Sequence, residues 1–245
     1  MATLRHILLG CSGGLLFDEP LYLRVINQVL LEENAPALSQ DDDYRPRCYG
    51  TTLGERLHYA WQQTGRILSP ELGSRLHQRA QIYYAELLRS QARRPLITGV
   101  IEALMEIQRL GLSVMVVAAQ TRRQLLLLAD TVQPYCQDLY FGDCLGLAGT
   151  VASGDLHRQL LADLGLDPQS CLSLEATYAG MAGAKAAGIP VLGLATLFPY
   201  PMVQRRSQWV VDSFRQIEWE RIQRWYATGQ DRPSEPATTP PEQAA

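Results

Sequence analysis

What constrains this chain most is a recurrence. Short apolar runs end at small residues, and a stretch of helical spacing follows each one before the next begins. The runs are Arg5 to Gly10 (RHILLG), Ser113 to Ala118 (SVMVVA), Cys171 to Glu175 (CLSLE) and Pro190 to Ala195 (PVLGLA), with a weaker one at Asp138 to Phe141. Helical spacing occupies Gly99 to Leu110, Arg122 to Val132, Leu156 to Leu164 and Ala179 to Ala187. Unbroken apolar strands need cover on both faces, and strands that alternate with helices pair in parallel. The pattern predicts an α/β fold with a Rossmann-like parallel sheet core.

Residues 19–94 break the alternation with long amphipathic patterns and no convincing strand. Helices are predicted over Leu21 to Leu31, Thr52 to Thr64 and Pro70 to Arg89, the last with Ser69 as N-cap and Pro70 at its first position. A helical cap inserted after the first strand follows, with residues 1–18 and 95–226 as the α/β core and 19–94 as the cap. At 245 residues and 47% apolar content, the chain can bury one sizeable core beside such a smaller domain. Asp41, Asp42 and Asp43 read as a solvated turn, because three consecutive side chains point in different directions. From 227 to 245 the chain is rich in Pro, Thr, Glu and Gln, the composition of a disordered tail.

A net charge of −3 speaks against a general nucleic-acid or anionic-membrane footprint. No stretch approaches the ~20 apolar residues of a spanning helix. Five widely spaced cysteines without a C-x-x-C pair fit neither a disulfide framework nor a zinc site. A soluble, cytoplasmic protein is expected.

Three segments carry a family resemblance by their order and spacing. They are Cys171 to Leu194 (CLSLEATYAGMAGAKAAGIPVLGL), Gly111 to Arg123 (GLSVMVVAAQTRR) and Trp209 to Ile217 (WVVDSFRQI). Together they resemble the haloacid-dehalogenase (HAD) superfamily, in the β-phosphoglucomutase or phosphoglycolate-phosphatase-like branch with a helical cap after the first strand. Active members end that strand in D-x-D-G, where the first Asp attacks phosphorus and the second is general acid and base. The matching stretch here is Gly10, Cys11, Ser12, Gly13, Gly14 and Leu15, so the resemblance puts Gly10 at the nucleophile's place and Ser12 at the acid's.

The other motifs are degenerate in the same alignment. Ala118 matches the Ser or Thr that donates to the phosphoryl group. Val151, within Gly149 to Asp155, lies where a Lys is expected, and the chain's single lysine, against 21 arginines, is Lys185, which has its own match elsewhere. Of the carboxylates that would hold Mg²⁺, Glu175 remains, followed by Ala176 and Thr177. One carboxylate is a weak Mg²⁺ site, since the ion wants octahedral oxygen ligation. The resemblance therefore implies a fold without its phosphoryl-transfer chemistry and without a cofactor beyond weakly held Mg²⁺. It points to binding or scaffolding with a protein partner; the alternative is a weak or altered phosphohydrolase acting on a small phosphorylated metabolite.

Cys11, Gly13, Gly14, Arg56, Glu175 and Thr177 are the candidate cleft residues. A Cys11 thiolate would be the sharpest alternative chemistry, but strand alternation turns Cys11 away from positions 10 and 12 into the core. Asp18 is expected to cap the first cap helix. His157 is expected on a helix surface. Gly50 to Arg56 is similar to the branch's specificity loop, and its Arg56, with Arg47 just before the stretch, is read either as an anion binder or as a solvated cap residue.

Overall fold

The computed structural model describes residues 3–118, 132–136, 138–141 and 153–229. Six parallel strands form one sheet in the order β3-β2-β1-β4-β5-β6. They are β1 (His6–Gly10), β2 (Ser113–Ala118), β3 (Asp138–Phe141), β4 (Cys171–Glu175), β5 (Val191–Leu194) and β6 (Trp209–Val211). β1 lies at the centre, pairing Gly10 with Val117 on one side and Leu9 with Leu174 on the other.

Each central strand is buried on both faces, which is why its sequence is a continuous apolar run. Ile7, Leu9, Val114, Val116, Leu172 and Leu174 face one core cluster, shared with α5 (Val100–Arg109), α9 (Trp219–Thr228) and the cap. Leu8, Met115, Val117 and Cys171 face the other, against α6 (Ser153–Leu164) and α7 (Tyr178–Ala186). A short α8 (Tyr200–Gln204) follows β5.

The helical cap enters after β1 as α1 (Glu19–Glu32), a π-turn (Gln40–Tyr44), a short α2 (Arg45–Cys48), α3 (Leu53–Gln62) and α4 (Pro70–Ser90). Ser69 caps α4 as its sequence predicts, accepting from Leu72 N at 3.2 Å. Thr52 and Glu55 form a reciprocal capping box at α3. Asp41 to Asp43 lie in the π-turn, where Asp43 accepts from Ser39 N. The two chain crossings between core and cap are tied together: Phe17 N donates to Pro95 O at 2.8 Å and Ile97 N to Leu15 O at 2.9 Å.

One expectation shifts. The last helix runs on through Thr228 to Gly229 in the left-handed region, so residues 227 and 228 belong to the core rather than to a tail. The predicted helix over Arg122 to Val132 lies outside the described residues apart from Val132, as does the tail from 230. Among the described residues, no helix is long and apolar enough to cross a membrane.

α9 buries Trp219, Ile222 and Tyr226, and the Tyr226 hydroxyl donates to Cys171 O at the start of β4. Truncation after Gly229 is expected to leave the melting temperature within about 1 °C, since the removed residues carry no large apolar side chain. Truncation after Glu218 is expected to abolish cooperative melting. Differential scanning calorimetry of the two shortened chains checks both.

Candidate functional site

Open α/β sheets bind ligands beyond the carboxyl ends of their strands. Here that end is formed by the chain after β1, β2 and β4. The loop after β1 is a tight turn: Cys11 N donates to Val117 O, Leu15 N to Gly10 O and Cys11 O, and Gly13 N to Leu16 O at 2.7 Å. Leu15 and Leu16 return directly into the core.

The decisive side chain is Glu175, at the end of β4. It is 3% exposed and turns to the same face as Ser173, two residues earlier. Its Oε1 accepts from Ser173 Oγ at 2.9 Å and lies 3.1 Å from His157 Nε2 of α6. Its Oε2 lies against the backbone of two glycines. A Cβ at Gly10 would come within 2.5 Å of that oxygen, and one at Gly180, in the first turn of α7, within 2.0 Å. The carboxylate thus fills the space in which a residue-10 side chain would begin.

Other groups close over the loop. Gly13, with φ of +72°, would place a Cβ 2.5 Å from Leu197 Cγ and 2.7 Å from Ala176 Cβ. Thr196 donates to Gly13 O at 2.5 Å. A Cβ at Gly14 would meet Gly10 O at 2.2 Å. From the cap, Gly50 packs against the Phe198 ring and Thr177 Cγ2. Phe198 stacks on Tyr178 at 4.1 Å between centroids, and Arg206 covers the outer face of Tyr178.

The cap holds this contact through a buried ion pair. Arg56 NH1 donates to Glu19 Oε2 at 2.6 Å and NH2 to Oε1 at 3.1 Å, with both side chains 1% exposed. Arg56 also donates to the Tyr44 hydroxyl and to Thr51 O, and its guanidinium lies over the Tyr22 ring. Glu19 Oε1 accepts from Gly50 N at 2.9 Å, which fixes the loop that meets Phe198. Burial works against the Arg56 charge, and Glu19 more than offsets it, so the guanidinium stays charged.

The residues singled out in the sequence separate accordingly. Gly10, Gly13, Gly14, Glu175 and Thr177 come together, and Cys11 is buried in the opposite core cluster, as alternation requires. Thr177 is the N-cap of α7 and accepts from Gly180 N. Ser12 bridges to Leu16 in the returning turn. Ala118 is one register step beyond Gly10's partner, so it shares the pleat of Cys11 rather than that of Gly10 and Glu175. Val151 lies outside the described residues.

Three expectations are corrected. His157 is buried at 2% exposure against Glu175, not on a helix surface. Arg56 is consumed by Glu19 and is in no position to bind an anion in the cleft, whereas Arg47 is exposed. Asp18 precedes α1 but makes no side-chain cap; its carboxylate accepts from the Tyr84 hydroxyl of α4 at 2.5 Å instead. Sequence reasoning missed Glu19, Tyr44 and Ser173. The signal for Ser173 was present, as a polar residue alternating with leucines one pleat below Glu175.

No protein-family profile matches the chain. It is 26% identical over 192 residues to the protein CbbY of Rhodobacter capsulatus, covering 77% of this chain and 84% of that one. The chain has the fold of solved haloacid-dehalogenase (HAD) hydrolases. Solved structures of that HAD fold superpose on it closely. CbbY from Rhodobacter sphaeroides in complex with phosphate gives a TM-score of 0.74 at 19% identity, covering 88% of this chain and 96% of that one. β-Phosphoglucomutase from Clostridium difficile gives 0.74 at 15% identity, covering 91% and 97%.

HAD resemblance implies Mg²⁺ at this end of the sheet, and the described residues do not fit it. Gly10 and Ser12 offer no carboxylate, and Glu175 is turned down between two glycines onto Ser173 and His157 rather than toward the cleft.

The Gly10–Glu175 contact is open to a double-mutant test. Gly10→Ala is expected to destabilise the protein by about 1 to 3 kcal/mol, because it drives a held carboxylate out of a close-packed site. In a Glu175→Ala background the same change should cost under about 1 kcal/mol, a coupling typical of residues in contact. Equal costs in the two backgrounds, measured by urea denaturation, would refute the contact.

Proposed function

We propose that this chain is a HAD-fold protein without phosphoryl-transfer activity, acting through binding to a protein partner in the cytoplasm. The observation that carries this reading is the Glu175 carboxylate resting where a residue-10 side chain would start. A phosphoaspartyl mechanism needs a carboxylate that projects from position 10 toward an incoming phosphorus, with a second acid two residues on. Gly10 has nothing to project. Glu175 does not substitute, because its oxygens lie level with the missing Cβ, and a nucleophile would have to stand beyond that point.

The packing over the loop supports the same reading. Leu197 and Ala176 press on Gly13, and the cap loop at Gly50 rests on Phe198 and Thr177. Oxyanion stabilisation needs preorganised donors aimed at developing charge. Apolar carbon occupies the approach to Gly13 instead. The arginine nearest in sequence to the specificity-loop stretch, Arg56, is neutralised by Glu19.

A second reading keeps a weak or altered phosphohydrolase acting on a small phosphorylated metabolite. It is favoured by the relatives, since CbbY of Rhodobacter sphaeroides has been seen with phosphate and with xylulose-1,5-bisphosphate. Steady-state assays with Mg²⁺ on phosphoglycolate, xylulose 1,5-bisphosphate and p-nitrophenyl phosphate separate the two. The expected rate equals that of buffer. Turnover above buffer that is lost in Ser12→Ala or Cys11→Ala would overturn the non-catalytic reading.

A further inference from the structure

The junction between core and cap carries a buried acid that neither the sheet nor the emptied site uses. Asp18 follows the paired crossing of Phe17 and Pro95 and precedes α1, so it stands where the cap must pivot if it moves at all. Its side chain is 1% exposed and reaches 66 residues along the chain to the Tyr84 hydroxyl on α4. Only Oδ2 is used; Oδ1 is buried without a hydrogen-bond partner. A buried carboxylate with one oxygen unsatisfied costs much more than a neutral carboxyl in the same place.

We propose that Asp18 is a proton-operated latch: neutral, it stays buried at the hinge with the cap docked on the core, and ionised, it loosens the hinge.

The groups that face it are identified from each packed element. From α4 comes Tyr84, whose ring stacks on Tyr22 of α1 at 4.6 Å. Glu19 of α1 and Arg56 of α3 act on Asp18 with opposite signs, and Cys11 of the core loop lies beside Tyr84. Because Glu19 and Arg56 are paired with each other, their fields largely cancel at Asp18. Burial is then the main influence. It pushes the Asp18 carboxyl from 3.8 up to about 6, against smaller opposing pulls from the Tyr84 hydrogen bond and Arg56. An acid whose pKa is raised in the docked state stabilises that state fully below its ordinary value, and the stabilisation is lost as pH rises through about 6.

Native-state hydrogen exchange at the hinge amides of Phe17 and Ile97 tests this in the full-length protein, with rates corrected for intrinsic pH dependence. If Asp18 regains its ordinary pKa on opening, the opening constant should rise about tenfold from pH 5 to pH 7 and change little above. Asp18→Asn should abolish that pH dependence. Tyr84→Phe removes the hydrogen bond that favours the ionised form, so its transition should move to higher pH. A wild-type opening constant independent of pH would overturn the latch. So would a pH dependence that persists in Asp18→Asn, or, if that variant does not fold, an unmoved transition in Tyr84→Phe.

Discussion

A carboxylate held against two glycines organises this end of the molecule. Glu175 ends the strand beside β1, and its Oε2 occupies room that any side chain at position 10 or 180 would take. The arrangement is mutual. Ser173 and His157 satisfy the buried charge from below, and Gly10 and Gly180 leave it space from the sides. A buried carboxylate stripped of such partners costs several kcal/mol, so these positions constrain one another. The glycine at position 10 is therefore tied to the packing of Glu175 at the sheet end.

The cap repeats this economy with an ion pair. Arg56 and Glu19 are both buried, and such a pair is weak evidence for stability on its own, since desolvation offsets most of the attraction. Its structural consequence is specific: Glu19 also takes the Gly50 amide, which sets the loop that meets Phe198 and Thr177. Arg56 is held inside the cap by Glu19, and Glu19 in turn positions the loop that closes onto the core. Among the described residues, Glu175, Glu19 and Arg56 are thus turned inward, and Gly13, Ala176, Leu197 and Phe198 meet one another or the cap loop between them.

Much of the architecture was legible in the sequence because it rests on periodicity and punctuation. RHILLG, SVMVVA and CLSLE are buried on both faces and read as such, and Ser69-Pro70 marks the start of α4 to the residue. Even the weak run at Asp138 to Phe141 forms the edge strand β3. What could not be read is where charged side chains go. His157 occupies a helix position whose spacing suits either face, and only its contact with Glu175 decides between them. Arg56 follows a glycine-rich loop that suggests an anion site, yet the partner that neutralises it lies 37 residues earlier. Long-range pairing leaves no local signal. Asp18 shows the same limit, since its capping position is right and its partner is on another helix.

Under the proposed non-catalytic function, Glu175 stays turned between Gly10 and Gly180 and leaves no seat for a metal-assisted phosphoryl group. A crystal structure of the full-length protein grown with millimolar Mg²⁺ and inorganic phosphate tests it most directly. Glu175 is expected on Ser173 and His157, with neither ion at the carboxyl ends of β1 and β4. Glu175 swung outward onto a Mg²⁺ ion, with phosphate beside Gly10, would contradict it.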